Sequence, residues 1–181
     1  MHIQNLCMRL FIAVGIPAEI KRALGEAQKD LPEEGGLKKV EIPQMHITLK
    51  FLSDVNPRML DRVDGVLREI PFALFKVKVR GIGVFPNEKY IRAVWAGCES
   101  PELEDLAKLV NEKMAGMFKE EEFAPHITIA RVKRKIVLDD YLKKYAEEKF
   151  GQFQVNEFYL VESVLGRSGP KYTILSTYGS R

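Results

Sequence analysis

One pattern is written twice in this chain, and it constrains the fold more than any other feature. Arg9-Leu-Phe-Ile-Ala-Val-Gly15 is an apolar run followed by a proline-led helical pattern and then by Gln44-Met-His-Ile-Thr-Leu-Lys-Phe51. Ile91-Arg-Ala-Val-Trp-Ala-Gly97 is followed in the same way by a proline-led helix and by Ala124-Pro-His-Ile-Thr-Ile-Ala-Arg131. The His-Ile-Thr element therefore recurs 80 positions apart, at His46 and His126. Two copies of so long a unit do not make a solenoid, in which several short repeats stack. They predict an α+β protein of two similar lobes with pseudo-two-fold symmetry, antiparallel-rich sheets lining a central cleft, and helices outside. No polar linker separates the copies, so the lobes should share one core. Residues 8–181 are read as a single bilobal domain. Residues 1–7 carry no pattern and are read as a leader or start-site extension, with Met8 opening the first strand.

Periodicity supplies the coarse elements between these landmarks. Strands are expected at Arg9–Gly15, Met45–Leu52, Phe72–Val84, Tyr90–Gly97, Ala124–Val132, Phe153–Leu165 and Tyr172–Tyr178. Helices are expected from Pro17 to Asp30, from Asn56 to Ile70, from Ser100 to Met117 and from Val137 to Phe150. Asn56 and Ser100 are capping residues, each followed by a proline suited to the first helical turn. Phe85-Pro86-Asn87-Glu88 reads as a turn, and Trp95 as a core residue.

The 181 residues carry 28 basic and 25 acidic side chains, a net charge of +3, with a hydrophobic share of 46%. That balance describes a folded globular chain and excludes a strongly electrostatic nucleic-acid binder of the histone kind. A local basic groove remains compatible with it. The two cysteines, Cys7 and Cys98, make neither a disulfide framework nor a metal motif, and fit reduced thiols in a cytoplasmic protein. No apolar run approaches the roughly 20 residues of a membrane helix.

The chemistry lies in the repeat. Of three histidines, His2 sits in the unpatterned leader, while His46 and His126 hold equivalent places. Side chains two apart on a strand share a face, so His46 points with Thr48, and His126 with Thr128. The intervening Ile47 and Ile127 point into apolar packing. A two-fold arrangement would bring both imidazole–hydroxyl pairs to one cleft. Histidine is the side chain that changes charge near neutrality. In-line displacement at phosphorus needs one base for the nucleophile and one acid for the leaving oxygen, each role worth about 10²–10⁴-fold. Threonine hydroxyls can donate to the non-bridging oxygens where charge builds. Zinc is the rival use of two histidines; it needs a third ligand, and with neither a third patterned histidine nor a cysteine pair available a carboxylate would have to serve. Lys50, at i+4 from His46, should share its face. Arg131, at i+5 from His126, should point elsewhere unless the strand twists or bulges.

These motifs resemble the 2H phosphoesterase superfamily, named for two such His-x-Thr-x elements. The chain is most similar to its RNA 2′,3′-cyclic phosphodiesterases, also called 2′-5′ RNA ligases. The resemblance is carried by Arg9-Leu-Phe-Ile-Ala, His46-Ile-Thr-Leu-Lys-Phe-Leu52, Gly83-Val-Phe-Pro86, Pro125-His-Ile-Thr-Ile-Ala-Arg131 and Glu162-Ser-x-Leu165…Tyr172, in family order. It implies metal-independent hydrolysis of RNA 2′,3′-cyclic phosphate ends to 2′-phosphates. Some members of that group also join such ends reversibly to a 5′-hydroxyl, without ATP or another cofactor. By the same resemblance His46 is the proton donor to the departing O3′ and His126 the proton acceptor, with Thr48 and Thr128 on the phosphate. The repeat itself makes the two histidines look alike. The implied partner is RNA with a cyclic phosphate end, including tRNA fragments, with no membrane and with the chain as a monomer.

Arg131, Lys50, Phe11 and Tyr172 are candidates for further RNA or phosphate contacts, the aromatics by stacking on a base, although the apolar strand around Phe11 points first to core packing. Lys133–Lys135 reads as a solvated strand end with an RNA contact as the alternative, and the Gly166–Pro170 loop as a border of the cleft. The rival functions are a phosphodiesterase for a small cyclic phosphate or a 2′-5′ oligonucleotide, and a non-catalytic module that binds RNA ends.

Overall fold

The computed structural model describes residues 7–33, 36–167 and 169–181. The expectation on the leader therefore lies, apart from Cys7, outside the described residues. The strands are β1 Met8–Gly15, β2 Leu37–Lys39, β3 His46–Val55, β4 Phe75–Asn87, β5 Tyr90–Glu99, β6 His126–Val132, β7 Lys149–Val155, β8 Glu157–Gly166 and β9 Gly169–Gly179. The helices are α1 Ala18–Lys29, α2 Leu60–Arg68, α3 Pro101–Met114 and α4 Asp139–Tyr145. No helix among the described residues is long and apolar enough to cross a membrane.

All nine strands form one antiparallel sheet in the order β7-β4-β5-β6-β3-β1-β8-β9, with β2 added to β6. The two His-Ile-Thr strands, β3 and β6, are its central pair. The sheet is thus two similar lobes meeting at β3 and β6, with β1 and β5 flanking them and β8 and β4 next. The chain exchanges strands between its halves. β4 follows the first copy of the pattern but pairs with β5 of the second, and β8 follows the second but pairs with β1 of the first. The strand swap explains why no linker is visible in the sequence.

Helices cover one face of the sheet because their apolar stripes match its inward residues. Ile20, Leu24 and Ala27 of α1, Val63 and Leu67 of α2, and Leu103, Leu106 and Val110 of α3 are buried with Ile12, Leu49, Val94, Ile127 and Ile129 in one core. Each such side chain contributes about 1.5–3 kcal/mol relative to exposure. Ser100 caps α3 by accepting from Leu103 N–H at 3.2 Å, with Pro101 first in the helix. The opposite, concave face is left to the cleft.

Several expectations needed correction. The helix expected from Val137 to Phe150 is only α4, and Lys149–Val155 is a strand. Its alternation was masked by a shift of register at Gly151, whose φ of 126° suits glycine. The single strand expected over Phe153–Leu165 is two, β7 and β8, parted at Asn156. The short strand β2 was not expected at all; it is stabilised by pairing with β6 rather than by its own propensity. Phe85-Pro86-Asn87 continues β4 through a cis Phe85–Pro86 bond rather than forming the turn by itself.

Candidate active site

β3 and β6 touch through one residue pair, Ile47 against Ile127, which are themselves equivalent positions of the repeat. The strands splay on either side of that contact, and the splay opens a cleft of about 940 Å³ on the concave face. His46 and His126 are the first residues of their strands, and both line it together with Thr48 and Thr128. Ile47, Leu49, Ile127 and Ile129 are buried in the core behind them.

The two imidazoles are held by the same local device. His46 Nδ1 lies 2.7 Å from the Gln44 carbonyl oxygen, and His126 Nδ1 lies 2.6 Å from that of Ala124. A carbonyl accepts only, so Nδ1 carries the proton and Nε2 is left for chemistry. The halves then differ. His46 Nε2 is 3.0 Å from Thr48 Oγ1, a bond with no counterpart between His126 and Thr128 among the described residues. His46 stacks on Phe11 with ring centres 4.9 Å apart, and Tyr172 meets its edge at 5.4 Å. His126 is flanked by Phe85 at 5.0 Å and by Trp95 at 6.5 Å.

Burial pushes both histidines below the usual imidazole range. Each is partly restored by its carbonyl partner. The charge of Arg131 lowers both, and those of Lys21 and His126 lower His46 further. Both rings therefore favour the neutral form near pH 7.

A matched pair of β-bulges decides which later residues reach the cleft. Ala13 pairs with Thr48 and Ile12 with Lys50, so Leu49 is the extra residue in β3. Trp95 pairs with Thr128 and Val94 with Ala130, so Ile129 is the extra residue in β6. Each bulge inverts the alternation beyond it. Arg131 is thereby turned into the cleft, as the bulge condition required, and no carboxylate lies within ion-pair distance of it among the described residues. Lys50 is turned out of it, which corrects its expected place beside His46. Lys50 is only 2% exposed. Its Nζ donates to Asn111 Oδ1 at 2.5 Å and to the Lys119 carbonyl at 2.6 Å.

Phe11 and Tyr172 line the cleft, where they contact His46 directly. Pro170 and Lys171 border it, and Gln44 Nε2 donates to the Pro170 carbonyl at 2.6 Å, tying the β8–β9 hairpin to the His46 side. Sequence reasoning missed Phe85 and Phe51, and placed Trp95 in the core. Trp95 instead lies half-buried against His126. The available signal was Gly83: a Cβ there would stand 2.3 Å from the Trp95 ring, so the glycine makes room for the indole. Among the described residues no group of three or more His, Cys, Asp or Glu is placed to hold a metal ion.

The LigT-like phosphoesterase family matches residues 14–95 and 97–172 of the chain. RNA 2′,3′-cyclic phosphodiesterase of Archaeoglobus fulgidus is 39% identical over 175 residues, covering 94% of this chain and 99% of that protein. The crystal structure of TT0787 of Thermus thermophilus superposes with a TM-score of 0.84 at 32% identity, covering 96% of this chain and 98% of that one. Escherichia coli LigT complexed with 3′-AMP gives a TM-score of 0.81 at 26% identity, with coverage of 96% and 98%.

Proposed function

The chain belongs to the LigT-like phosphoesterase family, and on that premise we propose that it hydrolyses RNA 2′,3′-cyclic phosphate ends to 2′-phosphates by paired histidine acid–base catalysis. The observation that carries this reading is the duplicated anchor. Two imidazoles, each with Nδ1–H on the carbonyl two residues upstream, offer Nε2 to one shared cleft. A binding module needs no such pair of titratable groups. The name of the Archaeoglobus relative and the 3′-AMP complex of LigT agree with a nucleotide phosphate as the occupant.

In the proposed reaction, His126 Nε2 takes a proton from water as the water oxygen bonds phosphorus. The phosphorus–O3′ bond breaks, and O3′ takes a proton from His46 Nε2. The phosphate stays on O2′. His126 ends protonated and His46 neutral, and exchange with solvent restores the starting state. Thr48, Thr128 and Arg131 supply hydrogen bonds and positive charge to the non-bridging oxygens, the kind of fixed donor whose loss costs about 10²–10³-fold. A 5′-hydroxyl in place of water gives a 2′-5′ linkage by the same proton transfers, and its reversal cleaves one. No step calls for a metal or a nucleotide cofactor.

The test is a short RNA ending in 2′,3′-cyclic phosphate, incubated with the protein in EDTA, its product end identified by mass and phosphatase sensitivity. A 2′-phosphate is expected from the native protein and none from His46→Ala or His126→Ala. A 3′-phosphate product, or full activity in either variant, overturns the assignment.

A further inference from the structure

The two walls of the cleft are chemically unlike, although the fold that builds them is symmetric. His46 is bordered by Phe11, Phe51 and Tyr172, with Arg9 and Lys171 farther along that side. On the β6 side the lining is richer in cations, with Phe85 and Glu41 among them. Lys38 of β2 pairs across the sheet with Arg131 of β6, and both line the cleft, as do Lys39 and Arg92. The run from Arg131 to Lys135 carries four cations and no carboxylate. Lys133, Arg134 and Lys135 are all exposed. This run is held in place rather than trailing. Lys133 N–H donates to the Gly36 carbonyl at 3.2 Å, and the Lys133 carbonyl accepts from Arg92 Nη1 at 2.8 Å. The basic strip thus starts inside the cleft at Arg131 and leaves it along the end of β6.

We propose that this strip, Lys133, Arg134 and Lys135 continuing outward from Arg131, binds the phosphodiester backbone of single-stranded RNA adjoining the reacting end. The inference rests on the RNA-end reading above and extends it from the terminal phosphate to the body of the strand. A flexible polyanion fits because the strip is exposed, carries several cations in a row and can be followed by a strand that bends with it. Exposed cations of this kind bind phosphates through counterion release, without base selection.

The experiment compares a dinucleotide and a 12-nucleotide RNA, both ending in 2′,3′-cyclic phosphate, as substrates of the native protein and of the Lys133→Gln/Arg134→Gln/Lys135→Gln variant. The native protein should show a KM at least 10-fold lower for the 12-mer. The variant should lose that advantage while keeping the native KM for the dinucleotide. Its log–log salt dependence for the 12-mer should flatten by about 2, at ~0.7 for each phosphate no longer neutralised. The charge-conserving Lys133→Arg/Arg134→Lys/Lys135→Arg variant should keep the advantage. Equal KM values for the two RNAs in the native protein, or a length advantage retained in the Gln variant, overturn the proposal. Absence of turnover on both RNAs would instead defeat the RNA-end reading. Fluorescence anisotropy of the 12-mer then decides the strip by itself, with tighter binding by the native protein than by the Gln variant supporting it and equal binding overturning it.

Discussion

Phe51 and Arg131 occupy the same place in the two halves of the sheet, 80 positions apart, each the first residue turned back to the cleft beyond a bulge. One half puts a phenyl ring there, 51% exposed, and the other a guanidinium. A symmetric frame thereby gains an asymmetric site: both histidines stand against aromatic rings, but the place that Phe51 fills in one half carries the charge of Arg131 in the other.

Replacing Arg131 should be read in the histidines themselves. Its charge disfavours both imidazolium ions. In Arg131→Gln both pKa values should rise, while kcat/KM falls about 10²–10³-fold on the scale of one lost transition-state donor. NMR titration of the two rings reads the first effect. Unmoved histidines would place the guanidinium away from them.

The pH–rate profile should be a bell. The reaction needs one imidazole neutral and one charged, so kcat/KM falls below the lower pKa, where the base is protonated, and above the higher, where the acid is empty. Burial holds both values below the usual 6.5 or so, so the maximum should lie on the acid side of that figure. Bound phosphate favours imidazolium, so the kcat bell should lie at higher pH than the kcat/KM bell. The same lowering links to folding. Between about pH 6.5 and the folded values the unfolded chain binds more protons, so stability is full above that range and declines as pH falls through it. A rate flat from about pH 5 to 9 would falsify paired catalysis.

Lys50→Met should act on stability rather than on the chemistry. The substitution removes the Lys50 donor from the Lys119 carbonyl and from Asn111 Oδ1, which keeps only the longer bond from Glu121 N–H at 3.4 Å, at a cost of about 1–3 kcal/mol. Denaturant unfolding should show that loss, and the pH–rate bell should stay where it was. A moved bell with unchanged stability would return Lys50 to the site.

Gly83→Ala should reach His126 through Trp95. The added methyl collides with the indole, and overpacking of this kind costs about 1–3 kcal/mol. Trp95 is the only tryptophan, so its fluorescence reports the displacement directly. Turnover should fall with the change in emission. Native emission together with lost turnover would separate the two.

Much of the site was legible in the residues because its signal is local. His46 with Thr48, and His126 with Thr128, follow from strand alternation, and the repeat made their shared cleft an expectation. Lys50 was misplaced and Arg131 left conditional for one reason. A bulge adds a single residue between paired strands, and the apolar Leu49 and Ile129 that occupy the bulges look like ordinary alternating core. Phe85 was hidden by its Phe-Pro step, which reads as a turn although the strand runs through it. β2 was invisible because three residues form a strand only when β6 is there to pair with.

Local patterns along the chain carry the duplicated frame, the first three helices with their apolar stripes and the Ser100 cap, and the identity of the imidazole and hydroxyl pairs. These depend on periods of two and about 3.6 residues that any short window displays. Long-range packing sets how the halves interlock, with β4 and β8 exchanged between lobes, which rings stand against each histidine, and that Arg131 faces the cleft while Lys50 is buried behind it. Those choices come from pairing between strands far apart in the chain. A shift of one residue there reverses which face every following side chain occupies.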